Sequence, residues 1–165
     1  MCSSDPTFQT PIGTLQLISR EHILLASGFG SFDSLRSSLD SDERELEIKK
    51  VNRITIITDL LEDYFDGDLR AIDGITVRQP GESFSQSAWK AMRKVPAGKT
   101  ISYGELAKKS GSAEAVRAAG SACARNLIAV VVPCHRIVKT GGALGNYAYG
   151  LKAKEWLLRH EGAIK

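Results

Sequence analysis

The chain has 165 residues, 42% of them hydrophobic and 25% charged, a composition that suits one folded domain or two small ones. No apolar run is long enough to span a bilayer, and the opening MCSSDPTFQT has neither the basic nor the apolar stretch of a secretory leader, so a reducing intracellular setting is expected. The formal charge of +3 conceals a division: residues 1–79 hold 8 basic against 14 acidic side chains, net −6, whereas residues 80–165 hold 14 against 5, net +9. Such a basic half suits a polyanion such as DNA or RNA, although a solvated face of an ordinary domain would carry the same charge.

In the first half, Leu15 and Leu17 alternate with polar neighbours, and Ile23 to Ala26 returns after a polar turn at Arg20-Glu21-His22. This pattern predicts an antiparallel hairpin opened by Pro11-Ile12-Gly13. Asp33 is placed to cap a short helix through Leu35 and Leu39. A longer helix is predicted from Ile54, Ile57, Leu61, Tyr64 and Phe65, with Asn52 as its cap and Gly67 as its stop. Ile75 and Val77 predict a short strand. No chemistry is legible here: His22 reads as a turn residue, and the acids from Asp40 to Glu47 read as solvated helix or loop.

Gln79-Pro80-Gly81 breaks the periodicity where the charge changes sign, so a domain boundary is expected between residues 79 and 80. Beyond it, Ser83 with Gln86 reads as a capping box for a helix that buries Phe84, Ala88, Ala91, Met92 and Val95. Ser102 with Glu105 is a second such box, opening a short helix over Tyr103 to Lys109. Gly111-Ser112 turns the chain, and a further helix is predicted from about Ala113 to Arg125. Two short helices around a glycine turn form a helix-turn-helix pattern, which many proteins that never touch DNA also contain. In the second helix Ala118, Ala119, Gly120, Ser121, Ala122 and Ala124 are all small. Close packing on the core would explain them, and so would entry into a narrow groove; both explanations can hold on opposite faces.

Leu127 to Val132 is an apolar run that predicts a short buried strand ended by Pro133, delivering Cys134, His135 and Arg136 to its end. A thiol beside an imidazole and a guanidinium is the setting in which sulfur becomes a nucleophile, although a packed cysteine would read the same way. The other thiols, Cys2 and Cys123, form no disulfide or zinc spacing with it, and the three histidines are scattered, so no metal site is expected. Four glycines between positions 141 and 150 predict an ordered loop, and a final helix starts near Leu151 and closes at Glu161-Gly162.

The segments FSQSAWKAMRKVPAGKTISYGELA, AVRAAGSACARN, VVPCHR and GNYAYGLKAKEWLLRHEG together resemble the O6-alkylguanine-DNA alkyltransferase family over most of residues 84–162. The first half resembles it more loosely, through its hairpin and YFDGDL. The resemblance implies an α+β fold: a small N-terminal domain (1–79) with an antiparallel sheet and helices, and a helical C-terminal domain (80–165) with a helix-turn-helix variant and a short active-site strand. It also implies a single-turnover transfer of the alkyl group from O6-alkylguanine, in a nucleotide flipped through the minor groove of double-stranded DNA. Cys134 would be the acceptor, His135 its base through a water, Glu161 the carboxylate that orients His135, Asn126 the tie between active-site strand and helix-turn-helix, and Tyr103 a donor to guanine N3. DNA would meet Ser102, Tyr103, Arg117, Ala118, Ser121, Arg125 and Arg136, with Arg117 filling the vacated space. The base pocket would involve Val132, Ile137, Tyr147, Ala148, Tyr149 and Lys154. No cofactor and no membrane are implied, the protein would act as a monomer, and its place would be the cytoplasm, or the nucleus in a eukaryote. Whether O4-alkylthymine is also a substrate is left open. Ala148, Tyr149 and Ala129 depart from the residues of other members, which bears on bulky adducts. Two rival classes are a lesion-binding regulator that transfers nothing and a cysteine hydrolase using Cys134, His135 and Glu161.

Overall fold

Leu15, Leu17 and Ile18, with Leu24, Leu25 and Ala26, are almost wholly withdrawn from solvent, and burying such side chains is worth about 1.5–3 kcal/mol each for the larger ones. They lie on β2 (Gly13–Arg20) and β3 (Ile23–Gly28), which pair antiparallel as the hairpin pattern predicts. A computed structural model describes all residues, Met1–Lys165. The chain contributes Met1–Pro80 and Leu127–Val131 to one compact unit, and Gly81–Asn126 with Val132–Lys165 to another. The sequence predicts one break near residue 79; the structure adds the return of a five-residue segment to the first unit.

The first unit holds a five-stranded sheet in the order β4-β1-β2-β3-β5, with β1 (Cys2–Thr10), β4 (Ile48–Lys50) and β5 (Thr76–Val77) completing it. β1 pairs antiparallel with β2 and parallel with β4, and β5 runs parallel to β3. Strand β1 is not legible in the sequence because Pro6 interrupts it. The structure accommodates the proline with a register shift between Asp5 and Phe8, beyond the end of β4, where no ladder donor is needed. The Thr7 amide donates instead to the Asp5 carboxylate at 2.9 Å.

In this unit two helix caps and the setting of one acidic residue differ from expectation. Helix α1 (Phe32–Ser37) is capped by Ser31, whose hydroxyl accepts from the Ser34 amide, rather than by Asp33. The acidic run contains α2 (Ser41–Arg44), and its Glu43 is buried, paired with Arg20 and Arg78, rather than solvated. Helix α3 (Ile57–Phe65) starts after Ile56, which has φ +72°, and Asn52 does not cap it. The Thr58 hydroxyl accepts from the Ile54 amide at 2.9 Å, so the side chain satisfies a donor in the segment leading into the helix. A short 3-10 turn follows at Ala71–Gly74.

Leu127 to Val132 is buried or nearly so but is not a regular strand. Ile128 makes a single bridge to Ser27, the Ser27 hydroxyl donates to the Ala129 carbonyl at 2.7 Å, and Val130 turns the chain at φ +73°. The apolar run marks burial on all sides, which sequence periodicity cannot separate from a central strand.

In the second unit α4 (Ser83–Lys94) buries Ala88, Trp89, Ala91 and Met92. Its N-cap is Glu82 without a side-chain cap bond, so the Ser83/Gln86 box does not form. The Trp89 indole donates to the Ala122 carbonyl at 2.9 Å, tying α4 to α6 (Val116–Arg125). Between them α5 (Tyr103–Lys109) opens with the complete Ser102/Glu105 box. Two-residue strands β6 (Ile101–Ser102) and β7 (Ile137–Val138) pair parallel, and α7 (Leu151–His160) ends the unit with Glu161 as its C-cap.

Candidate active site

Cys134 begins a single 3-10 turn, Cys134–Arg136, held between the Pro133 bend and β7. That turn separates the cysteine from the two residues that follow it. The sulfur faces a cavity of about 730 Å³ that is also lined by Tyr103, Arg117, Gly120, Ser121, Cys123, Asn146, Tyr147 and Ala148. His135 and Arg136 turn inward, fully buried and 2% exposed respectively.

The inward pair converges on Glu161. His135 Nε2 lies 2.9 Å from one carboxylate oxygen, and Arg136 engages both oxygens through Nε and Nη2, each at 2.9 Å. Arg136 Nη1 donates to the Val95 carbonyl at 2.7 Å. Burial alone would raise the Glu161 carboxyl, but His135 and Arg136 outweigh it and hold the group well below the usual carboxylate range. Burial pushes His135 down more strongly than Glu161 pulls it up, so the imidazole is neutral. With Nε2 engaged by the carboxylate, Nδ1 is left without a partner among the protein atoms. The Tyr147 hydroxyl, with Cys134 among its electrostatic neighbours, is likewise buried and unpartnered.

Asn126 caps α6 and directs its amide to the segment that carries Cys134: Nδ2 donates to the Val132 carbonyl at 2.8 Å and to the Cys134 sulfur at 3.3 Å. Burial raises the Cys134 thiol, opposed by that amide and by the Lys154 ammonium. Lys154, fully buried, donates to the Ile137 carbonyl at 2.6 Å and the Asn146 carbonyl at 3.2 Å, and so pins the loop to β7. Cys123 shares the cavity, but burial pushes its thiol up to about 12 and keeps it protonated.

Several residues named from the sequence thus meet at one cavity, and others do not. Arg136, expected on DNA, is buried in the Glu161 pair and cannot reach a phosphate; this corrects the sequence reading. Arg125 is exposed at the end of α6, 3.8 Å from Glu82, Ala118 is exposed on the same helix, and Ser102 is occupied in capping α5. Val132 and Ile137 offer carbonyls already bonded to Asn126 and Lys154. Tyr149 does not line the cavity but stands edge-on to Tyr147, with ring centroids 5.9 Å apart. Val116 and Lys139 do line it and carry no sequence signal that marks them.

The small residues of α6 divide by face. Ala119 and Ala122 are fully buried, whereas a methyl added at Gly120 would meet nothing within 4 Å. Packing explains the alanines; it does not explain the glycine.

Residues 83–163 match the family described as 6-O-methylguanine DNA methyltransferase, DNA binding domain. The chain is 38% identical over 159 residues to a methylated-DNA–protein-cysteine methyltransferase of Salmonella typhimurium, covering 94% of this chain and 93% of that one. The O6-methylguanine methyltransferase of Mycobacterium tuberculosis superposes with a TM-score of 0.77 at 30% identity, covering 99% of this chain and 94% of that one. The Mycobacterium tuberculosis OGT solved in complex with DNA gives 0.78 at 29% identity, with 98% and 92% covered.

Proposed function

The chain belongs to the methylated-DNA–protein-cysteine methyltransferase family, and on that premise we propose that it repairs O6-alkylguanine in double-stranded DNA by moving the alkyl group onto Cys134. The observation that carries this reading is a single cavity lined by Cys134, Tyr103 and Arg117. O6 is out of reach inside a paired duplex, so the damaged nucleotide rotates into the cavity at a cost of about a few kcal/mol, less where the lesion has already weakened the pair. Arg117 enters the space it leaves.

Sulfur attacks the alkyl carbon in line, an S–C bond forms, and the C–O6 bond breaks with its electron pair moving onto the guanine. His135, neutral and free at Nδ1, takes the thiol proton through a water, while Glu161 holds the ring and stabilises the imidazolium. Tyr103 donates to N3 and so offsets the charge that develops on the leaving base. Asn126 holds the sulfur in place from the end of α6. The proton taken by His135 passes back through the water to the departing guanine, and neither carbon nor sulfur is oxidised by an external agent, so the step balances without a cofactor and leaves Cys134 as the thioether. The thioether resists water, and each chain acts once, as a monomer on DNA in the cytoplasm or, in a eukaryote, the nucleus.

With excess duplex containing O6-methylguanine, the expected result is one methyl removed per chain. Cys134→Ser should abolish removal and keep lesion binding. Repeated turnover, or full repair by Cys134→Ser, would overturn the reading.

A further inference from the structure

The turn that follows β7 puts on the wall of the cavity a lysine that none of the roles above employs. Lys139 lines the cavity together with Cys134 and Arg117, is exposed, and forms no ion pair. Its backbone is held: its amide donates to the Ala143 carbonyl at 2.8 Å, and its carbonyl accepts from the Gly142 amide at 3.0 Å. Gly141 and Gly142 close this turn at φ +92° and +93°, conformations that a side chain would strain. The lysine stem is placed as well. A methyl on Gly145 would come 2.9 Å from the Tyr103 hydroxyl and 3.5 Å from Lys139 Cγ, so the tyrosine, the glycine backbone and the lysine stem adjoin one another.

The cavity wall therefore carries two cations, on α6 and on the loop, and no carboxylate. The bound base is neutral, and the charge that develops on it as the alkyl group leaves is met by Tyr103 in the mechanism above. The backbone of an extruded nucleotide calls for cations, because its flanking phosphates follow the base to the mouth of the cavity. Arg117 belongs with the gap in the stack. Lys139, beside Tyr103, is left facing the strand that has been pulled out.

We propose that Lys139 is a positioning residue whose ammonium binds a phosphate flanking the extruded nucleotide and holds that strand at the cavity mouth. This rests on the reading of the cavity as the seat of an extruded nucleotide, and adds a phosphate contact to it. Lysine binds phosphate as a mobile point charge, so the contact tolerates any flanking sequence.

The test compares wild type, Lys139→Gln and Lys139→Arg, measuring the second-order rate of methyl transfer from duplex O6-methylguanine across a salt series, and from free O6-methylguanine base. Lys139→Gln should slow the duplex reaction several-fold at low salt and flatten the plot of log rate against log salt by about 0.9, the increment for one phosphate on B-DNA. Lys139→Arg should restore both. The free base, which carries no phosphate, should react alike with all three proteins. An unchanged salt slope, or equal slowing with the free base, overturns the phosphate role. Failure of wild type with both substrates instead overturns the reading of the cavity.

Discussion

Replacing Gly120 with alanine separates what the folded protein needs from what its nucleic-acid partner needs. Gly120 lies inside α6 with ordinary helical backbone, and an added methyl meets no atom within 4 Å. Alanine is favoured over glycine in a helix interior by about 0.8–1.0 kcal/mol, so the free protein should become more stable by roughly that amount. For a chain of 165 residues this raises the melting temperature by about 2–4 °C. Gly120 lines the cavity together with Ser121 and Arg117. If the groove of the duplex closes on this helix, an extra methyl there costs about 1–3 kcal/mol, as overpacking does elsewhere, which is roughly a 5- to 150-fold loss of affinity. Thermal melting of the free protein and fluorescence anisotropy on lesion duplex, both in a Cys134→Ser background to prevent reaction, measure the two effects. A variant that is less stable would refute the account of the free helix, and one that binds DNA as tightly as its parent would refute the assignment of this face to the groove.

Four further outcomes are expected. Glu161→Gln leaves the Arg136 guanidinium, 2% exposed, without its counter-ion and should cost about 3–5 kcal/mol in denaturant unfolding; a loss below ~1 kcal/mol would mean that the pair is not desolvated as described. Asn126→Ala removes the donor to both the Val132 carbonyl and the Cys134 sulfur, and should cost about 1–2 kcal/mol of stability together with a larger fall in transfer rate than in lesion affinity, read by parallel kinetic and binding titrations. Because burial depresses His135 below its ordinary value of 6.5, the base stays neutral as pH falls through that value, and the acid limb of the transfer rate should lie below it; a limb at or above 6.5 would exclude the buried imidazole as the base. Tyr147→Phe deletes a buried hydroxyl that has no partner, so the melting temperature should hold or rise; a marked fall would reveal a bond that this geometry does not contain.

Much of the second unit is legible from local rules. The Ser102/Glu105 box, the glycine turn after α5 and the position of Glu161 at the end of α7 each depend on a few neighbouring residues. Long-range partners are not legible in this way. Arg136 stands beside the Cys134 thiol in a basic half, and nothing in the sequence distinguishes a guanidinium aimed at phosphate from one folded inward to share Glu161. Glu43 shows the same difficulty in the acidic half, where its pairing with Arg20 and Arg78 depends on residues brought from two other segments. Strand β1 is hidden by Pro6 and a polar composition, and Leu127 to Val132 imitates a strand because every side of it is covered. Lys139 is one lysine among many until the cavity it lines is known.

The central claim is that one sulfur captures the carbon for good. Duplex carrying O6-methylguanine with an isotopically labelled methyl, followed by peptide mass spectrometry, locates the carbon after reaction. The account predicts the label on the peptide containing Cys134, one per chain and stable to prolonged incubation. Label on the Cys123 peptide, or label released into solution while the protein stays unmodified, would contradict it.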